Sequence, residues 1–336
     1  MRIDPSDKRK ASILLIALWS LFMLSSMAVI LGYQAWQKIN LVKRLNERDT
    51  LSLLCMSGVR RALADLRVDA ETRLVNTLSD HFSVNPGYDR MQAGEGTVSI
   101  GYTVIGTDGK PRNVYGLIDE DRKININKAD QPVLERLFRV CGLEDQQAKD
   151  LSYCIIDWRD PDSLLSAPTG SAEGSYYRSL TLPYDAKNAD LDTLDELMLV
   201  KGMDENVFKK IGNYITIYGS GKININTAPR PVLIAAGLSP DTADILEAFR
   251  NGKDGIPGTA DDGVFASVPE LTSKLTAENQ LTETQLTELS NLASVAGVTS
   301  EYFTVYASAS LGRGSASQSA TAVISATHGI VYWSEE

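Results

Sequence analysis

Cysteine and histidine are scarce in this chain: its 336 residues hold three of the one and two of the other. Cys55, Cys141 and Cys154 are too few and too scattered for a disulfide framework or a four-ligand zinc site. If the body is exported, Cys141 and Cys154 can pair and leave Cys55 odd; three buried thiols is the equal alternative. His81 and His328 stand alone, so no Ser/His/Asp or Cys/His catalytic set can be assembled. No Gly-x-x-x-x-Gly-Lys loop and no Gly-x-Gly-x-x-Gly after a strand occurs. Together these absences argue against an enzyme. Positive charge is also short, with a formal net charge of −10, and this argues against general attraction to nucleic acid or an anionic surface.

Two further absences shape the N-terminal part. No charged residue lies between Ala11 and Gln37, and no proline between Ser6 and Asn85. The first run is long enough for a bilayer-spanning helix, which needs roughly 20 apolar residues. Lys8, Arg9 and Lys10 precede it, which predicts a cytoplasmic leader, a single pass and an exported body. A cleaved secretory signal is the competing reading. Against it, the run passes at Lys38 into a helical pattern of Leu41, Leu45, Leu51, Leu54, Val59, Leu63 and Leu66 among charged residues. The spacing predicts one helix of about 60 residues, or about 90 Å. An anchor followed by a separate stalk helix is the alternative.

Beyond Pro86, Thr97–Ile105 and Asn113–Ile118 read as two strands around a turn at Gly106–Gly109, closed by charge at Asp119–Lys123. A repeat follows. Lys123–Leu134 and Lys222–Leu233 are identical at nine of twelve positions. Each copy reads as a short edge-like strand, then a helix begun by the second Asn or the residue after it, with Pro132 or Pro231 in its first turn. Gly142 and Gly237 end those helices with φ > 0, and Gly202 closes a related pattern from Leu191. A further helical pair is expected from Val268 to Ala293. Strands at Tyr302–Leu311, Ala320–Thr327 and Gly329–Trp333, with a turn at Gly312–Ser317, close the chain. Strands before and after a helical block most economically share one sheet. The fold class is therefore α+β, with a long N-terminal helix packed on an antiparallel sheet. Inserted in it is a large all-α domain of short helical hairpins of helix-hairpin-helix or SAM-like type. Its expected parts are a polar leader and a membrane-inserting helix (boundary at 11/12, through 36), an amphipathic helix with the first strands (37–119), the inserted domain (120–300) and C-terminal strands (301–336).

Two loops interrupt the helical block: Asp160–Gly174, expected as an exposed excursion, and Asn251–Gly263. Asp254, Asp261 and Asp262 stand among glycines in the second, an oxygen-rich arrangement suited to Ca2+, although it departs from the EF-hand pattern. Asp157, Asp160 and Asp162 form a weaker second cluster, and a hydrated turn is the bland reading of both. Glycine-led helix pairs also resemble the helix-hairpin-helix units that hold DNA phosphates, and Ile-Asn-Ile-Asn-Thr-Ala is similar to the start of the competence-type DNA-receptor version. Here acid follows each bend, and residues 130–300 carry 26 acidic against 14 basic side chains, so phosphate would be repelled.

The order of these pieces resembles the K-type minor pseudopilins of type II (general) secretion systems across nearly the whole chain. The resemblance rests on the basic leader and apolar helix, Asp119–Asn127, Asp157-Trp-Arg-Asp-Pro-Asp162, Leu197–Gly202, Asn224–Ala228, and Tyr302-Phe303 before a terminal sheet. It implies a pilin-like fold with a periplasmic body on an inner-membrane helix, prepilin peptidase cleavage between Ala11 and Ser12, with Ala11 where the family has Gly, and methylation of Ser12. Counted from Ser12, the fifth residue is Ile16, where ordinary pseudopilins carry Glu. A carboxylate there is tolerable in lipid only when paired with a neighbour's N-terminal amine, so its loss suits a filament tip. The resemblance further implies a non-enzymatic subunit that starts or caps a pseudopilus with I- and J-type minor pseudopilins and the major pseudopilin, and that binds Ca2+ at the Asp254 loop. The alternatives are a type IV pilus-like or DNA-uptake subunit, and a simple anchored periplasmic binding domain.

Overall fold

The computed structural model describes residues 5–80, 82–105, 109–312 and 316–335, with the backbone alone for 5–14. His81, most of the turn at 106–109 and the middle of the turn at 312–317 lie outside the described residues.

One helix, α1, runs from Pro5 to Thr72 without interruption, 68 residues and about 100 Å. The leader is not set apart by the backbone, because the helix already passes through Ala11 and Ser12. No proline interrupts the ladder of hydrogen bonds, and Gly32 is not a kink. From Leu51 the helix presents Leu51, Leu54, Cys55, Val59, Ala62 and Leu66 to a sheet, every third or fourth residue as one helical face requires. Leu41 and Leu45, expected on the same stripe, remain 59% and 51% exposed because the sheet ends short of them.

After a 3₁₀ turn at Pro86–Tyr88 come β1 (Met91–Ala93), β2 (Gly96–Ile100), β3 (Tyr102–Ile105), β4 (Pro111–Val114) and β5 (Ile118–Asp119). The strand expected over 97–105 is thus broken at Gly101, where a Cβ would meet the Val114 carbonyl at 2.5 Å. Its first half joins the main sheet, and its second half pairs with β4 as a separate hairpin.

The helical block follows: β6 (Ile124–Asn125), α2 (Gln131–Val140), α3 (Asp145–Arg159), α4 (Gly174–Tyr177), a 3₁₀ turn at Leu194–Leu199, α5 (Glu205–Ile211) and β7 (Ile215–Thr216). The second half repeats the plan as β8 (Ile223–Asn224), α6 (Arg230–Ala235), α7 (Pro240–Arg250), α8 (Glu270–Glu278), α9 (Glu283–Val295) and β9 (Ala296–Gly297). Each repeat strand is a short, buried member of a two-stranded sheet, and each pairs in parallel with the strand that returns at the end of its half, Ile124 with Ile215 and Ile223 with Ala296. Both halves share one hydrophobic core.

The helices of the repeat begin later than the sequence suggests. Asn125 and Asn224 fold back to accept from the amides of Asn127 and Asn226 (2.9 and 3.0 Å), making a tight turn first. Asp130 then caps α2 through the Val133 amide (3.2 Å). Gly142, Gly202 and Gly237 all have positive φ, as expected of residues that end helices.

The chain closes with β10 (Tyr302–Leu311), β11 (Ala316–Ser325) and β12 (Gly329–Glu335). The main sheet is antiparallel in the order β1-β2-β10-β11-β12, with β5 alongside the start of β10. Strands from both sides of the helical block therefore form one sheet, and the block is an insertion between β5 and β10.

Candidate functional site

Two regions of this fold carry functional chemistry. The first is the free half of α1. Leu15, Ile16, Trp19, Phe22 and Leu24 are each more than 60% exposed, and an 18-residue window has a mean hydropathy of 2.1 with no residue buried. This helix is long and apolar enough to cross a membrane. Ile16 lies on it with its side chain exposed, and Tyr33 stacks on Trp36 (6.1 Å) near the end of the uncharged run.

The second region lies in the loops that leave the helical pairs. In each half the second helix ends in an arginine that reaches back to the repeat. Arg159 donates to the carbonyls of Ile126 and Ala129. Arg250 donates to those of Ile225 (3.1 Å) and Ala228 (2.6 Å). Burial of Arg250 pulls its guanidinium down to about 10. The acid-rich loops begin directly after these arginines, so the Asp160 and Asp254 loops occupy equivalent places in the two halves.

Their carboxylates are used differently. In the second loop, Asp261 accepts from the amides of Lys253 (2.7 Å) and Asp254 (3.2 Å) and from the Thr259 hydroxyl (2.7 Å). Asp262 accepts from the Gly258 amide (2.7 Å) and Asp254 from that of Ile256 (2.8 Å). The loop is held by its own hydrogen bonds, and Asp254, Asp261 and Asp262 do not converge on one point.

In the first loop, Asp160, Asp162 and Glu173 bring one carboxylate oxygen each within 4.8 Å of one another. Asp160 Oδ1 and Glu173 Oε1 are buried with no hydrogen-bond partner. Burial raises the pKa of both groups, and the neighbouring carboxylates add to it: Asp162 and Asp157 for Asp160, and Asp157, Asp160 and Asp162 for Glu173. Three converging oxygens with two orphaned acceptors can coordinate a divalent cation. Asp157 plays another part, accepting from the amides of Ser166 (2.9 Å) and Ala172 (3.0 Å). It folds the loop back, so Ala167, Ser171, Ala172 and Glu173 are buried and only the outer part is the exposed excursion expected. Glu173 was not among the sequence candidates. Its one signal was an acidic residue immediately before a helix start.

Cys141 and Cys154 are not joined; all three cysteines are free thiols. Cys154 is buried with Sγ 3.1 Å from the Gly170 carbonyl, and burial raises its pKa to about 12, which makes it inert at neutral pH.

Asp119, Glu120 and Asp121, in the charged stretch that closes the first strands, are all buried. They sit where the helical block joins the sheet.

Comparison with known proteins shows what this chain is similar to. The profile described as Type II secretion system (T2SS), protein K matches residues 112–220, from β4 to the end of the first half. Type II secretion system protein K of Aeromonas hydrophila is 31% identical over 131 residues, 38% of this chain and 39% of that one. The protein of the same name from Pectobacterium carotovorum subsp. carotovorum is 29% identical over 136 residues, 38% of this chain and 41% of that one. The match thus spans about two fifths of the length of these curated relatives. The crystal structure of the GspK-GspI-GspJ complex from the enterotoxigenic Escherichia coli type 2 secretion system contains a chain that superposes with a TM-score of 0.68. The superposition covers 88% of this chain and 99% of that one at 15% identity, so the fold is shared.

Proposed function

We propose that this chain, assigned by its sequence and fold matches to the type II secretion system protein K family, acts as a minor pseudopilin at the tip of a secretion pseudopilus. It starts or caps the filament and so promotes protein export across the outer membrane, and it is not an enzyme. The observation that carries this reading is α1: one helix whose first half is bare and apolar and whose second half is seated on a sheet. A helix built this way can leave a bilayer and pack against neighbouring helices without refolding its body.

Several finer assignments follow from that role. A prepilin peptidase cuts between Ala11 and Ser12, and the new N-terminus is methylated. Ile16 takes the place of the buried carboxylate that would require a subunit above it. The helix anchors the precursor in the inner membrane, with residues from Lys38 onward in the periplasm. The partners are I- and J-type minor pseudopilins, the combination in which the superposed relative was crystallised, together with the major pseudopilin. The cation held by Asp160, Asp162 and Glu173 is Ca2+, which suits hard oxygen ligands in a flexible loop. There it would tie the loop to the start of α4.

The N-terminal mass of the full chain, recovered from cells with and without their prepilin peptidase, tests the role. N-methyl-Ser12 only where the peptidase is present supports it. Intact Met1 in both strains overturns it and leaves an anchored domain.

A further inference from the structure

Three consecutive carboxylates tie the helical block to the sheet. Asp119 Oδ2 accepts from Asn224 Nδ2 (3.2 Å), Thr227 Oγ1 (2.5 Å) and Ser300 Oγ (2.7 Å). Glu120 accepts from Thr216 Oγ1 in the block and Thr304 Oγ1 in the sheet, both at 2.6 Å. Asp121 Oδ2 accepts from the amides of Glu301 (2.8 Å) and Tyr302 (3.5 Å), on the chain's way back into β10. The segment after α1 joins the same knot. Asn76 donates its amide to Val298 (2.9 Å) and accepts from the amide of Ser300 (2.7 Å). Both covalent connections of the insertion, 119–123 and 297–302, thus pass through one cluster.

The cluster is short of positive charge. Lys123 pairs with Glu120, and Arg122 is the cation that acts on Asp119. Facing Asp121 from its own segment is Asp119, and from the returning segment Glu301, which lies 3.1 Å from His328 Nδ1. Tyr302 stacks on His328 on one side and on Tyr218 of the block on the other. Asp121 Oδ1 also lies against Gly219, where an added Cβ would meet it at 2.1 Å, so the carboxylate has no room to turn away. An ionised Asp121 therefore stands buried between two other acids with no cation of its own.

We infer that Asp121 is a proton-operated latch between the helical block and the sheet: protonated, it holds the two connections together, and ionised, it loosens them. The inference does not depend on the secretion role. Burial, with Asp119 and Glu301 adding, brings the group's pKa to about 7, so the loosening grows as pH rises from about 4 and is complete above about 7. A closed form that keeps a proton the open form has lost changes its opening constant by up to about tenfold per pH unit.

Hydrogen exchange on the full chain in detergent micelles tests this between pH 5 and 8.5, with rates corrected for the intrinsic pH dependence. Protection at Asn224, Glu301 and Tyr302 is expected to fall at least about tenfold as pH rises. Core amides of β11, which exchange through global unfolding, should change only as far as overall stability does. In Asp121→Asn the same amides should stay protected throughout. Unchanged protection in the parent chain, or an equal fall in Asp121→Asn, overturns the latch. Should that variant fail to fold, Glu301→Gln replaces it: a smaller fall than in the parent supports the latch, and an equal one overturns it.

Discussion

Asn226 closes a ring of two hydrogen bonds with the backbone of Phe265, donating Nδ2 to its carbonyl (3.0 Å) and accepting its amide at Oδ1 (2.9 Å). Asn127 does the same with Leu191 in the other half, at 3.0 and 2.8 Å. A side-chain amide offers a donor and an acceptor in one plane, so it can replace a strand neighbour for a single residue. The second Asn of each repeat is therefore a splice to a returning segment, while the first makes the turn.

Asn226→Asp removes the donor and keeps the shape. It leaves the buried Phe265 carbonyl without this bond and sets a buried carboxylate against it, at a cost above the ~1–3 kcal/mol of a neutral unsatisfied group. Thermal unfolding should show a drop of several degrees. Asn127→Asp should lose less, because that site is only partly buried.

At Gly58, α1 presses closely on the sheet. A Cβ there would lie 2.8 Å from Val98 Cγ2. Gly58→Leu should cost about 1–3 kcal/mol, and more if the helix lifts from β2. Gly32→Leu meets nothing within 4 Å and should leave the denaturation midpoint of the body unchanged.

Stability should depend on pH through Asp121. Its folded pKa, raised to about 7, exceeds the ordinary 3.8, so the folded chain holds a proton that the unfolded chain releases. Its contribution is zero below about 4, grows unfavourable as pH rises, and is complete above about 7, at up to about 4 kcal/mol. Asp121→Asn should therefore match the parent near pH 4 and exceed it by a few kcal/mol at pH 8, measured as the difference between two denaturation series.

Calcium should raise the melting temperature of the full chain, and a chelator should reverse the rise. A site filled to 100 times its Kd stabilises by about 2.7 kcal/mol. Asp162→Asn and Glu173→Gln should each abolish the shift, whereas Asp261→Asn should leave it intact because that carboxylate serves its own loop. Binding should weaken as pH falls, since protons compete for Asp160 and Glu173.

The features legible in the residues are those set within one or two turns of chain. The uncharged run and the lack of proline made α1 continuous, the strand-like run from Tyr302 to Leu311 placed β10, and the repeated Pro and Gly placed α2 and α6. What stayed hidden depends on where distant segments meet. Leu45 and Leu51 look alike in sequence, and only the end of the sheet separates an exposed side chain from a buried one. Asp119–Asp121 are three consecutive acids in sequence, and only the donors of Asn224, Thr216 and Ser300, brought from distant segments, allow their burial. Asp254, Asp261 and Asp262 looked the richer cation loop, yet their own backbone amides occupy them, while Glu173 swings in from the far end of another loop to meet Asp160. A carboxylate's role is set by which donors reach it, and local sequence does not say which residues will arrive.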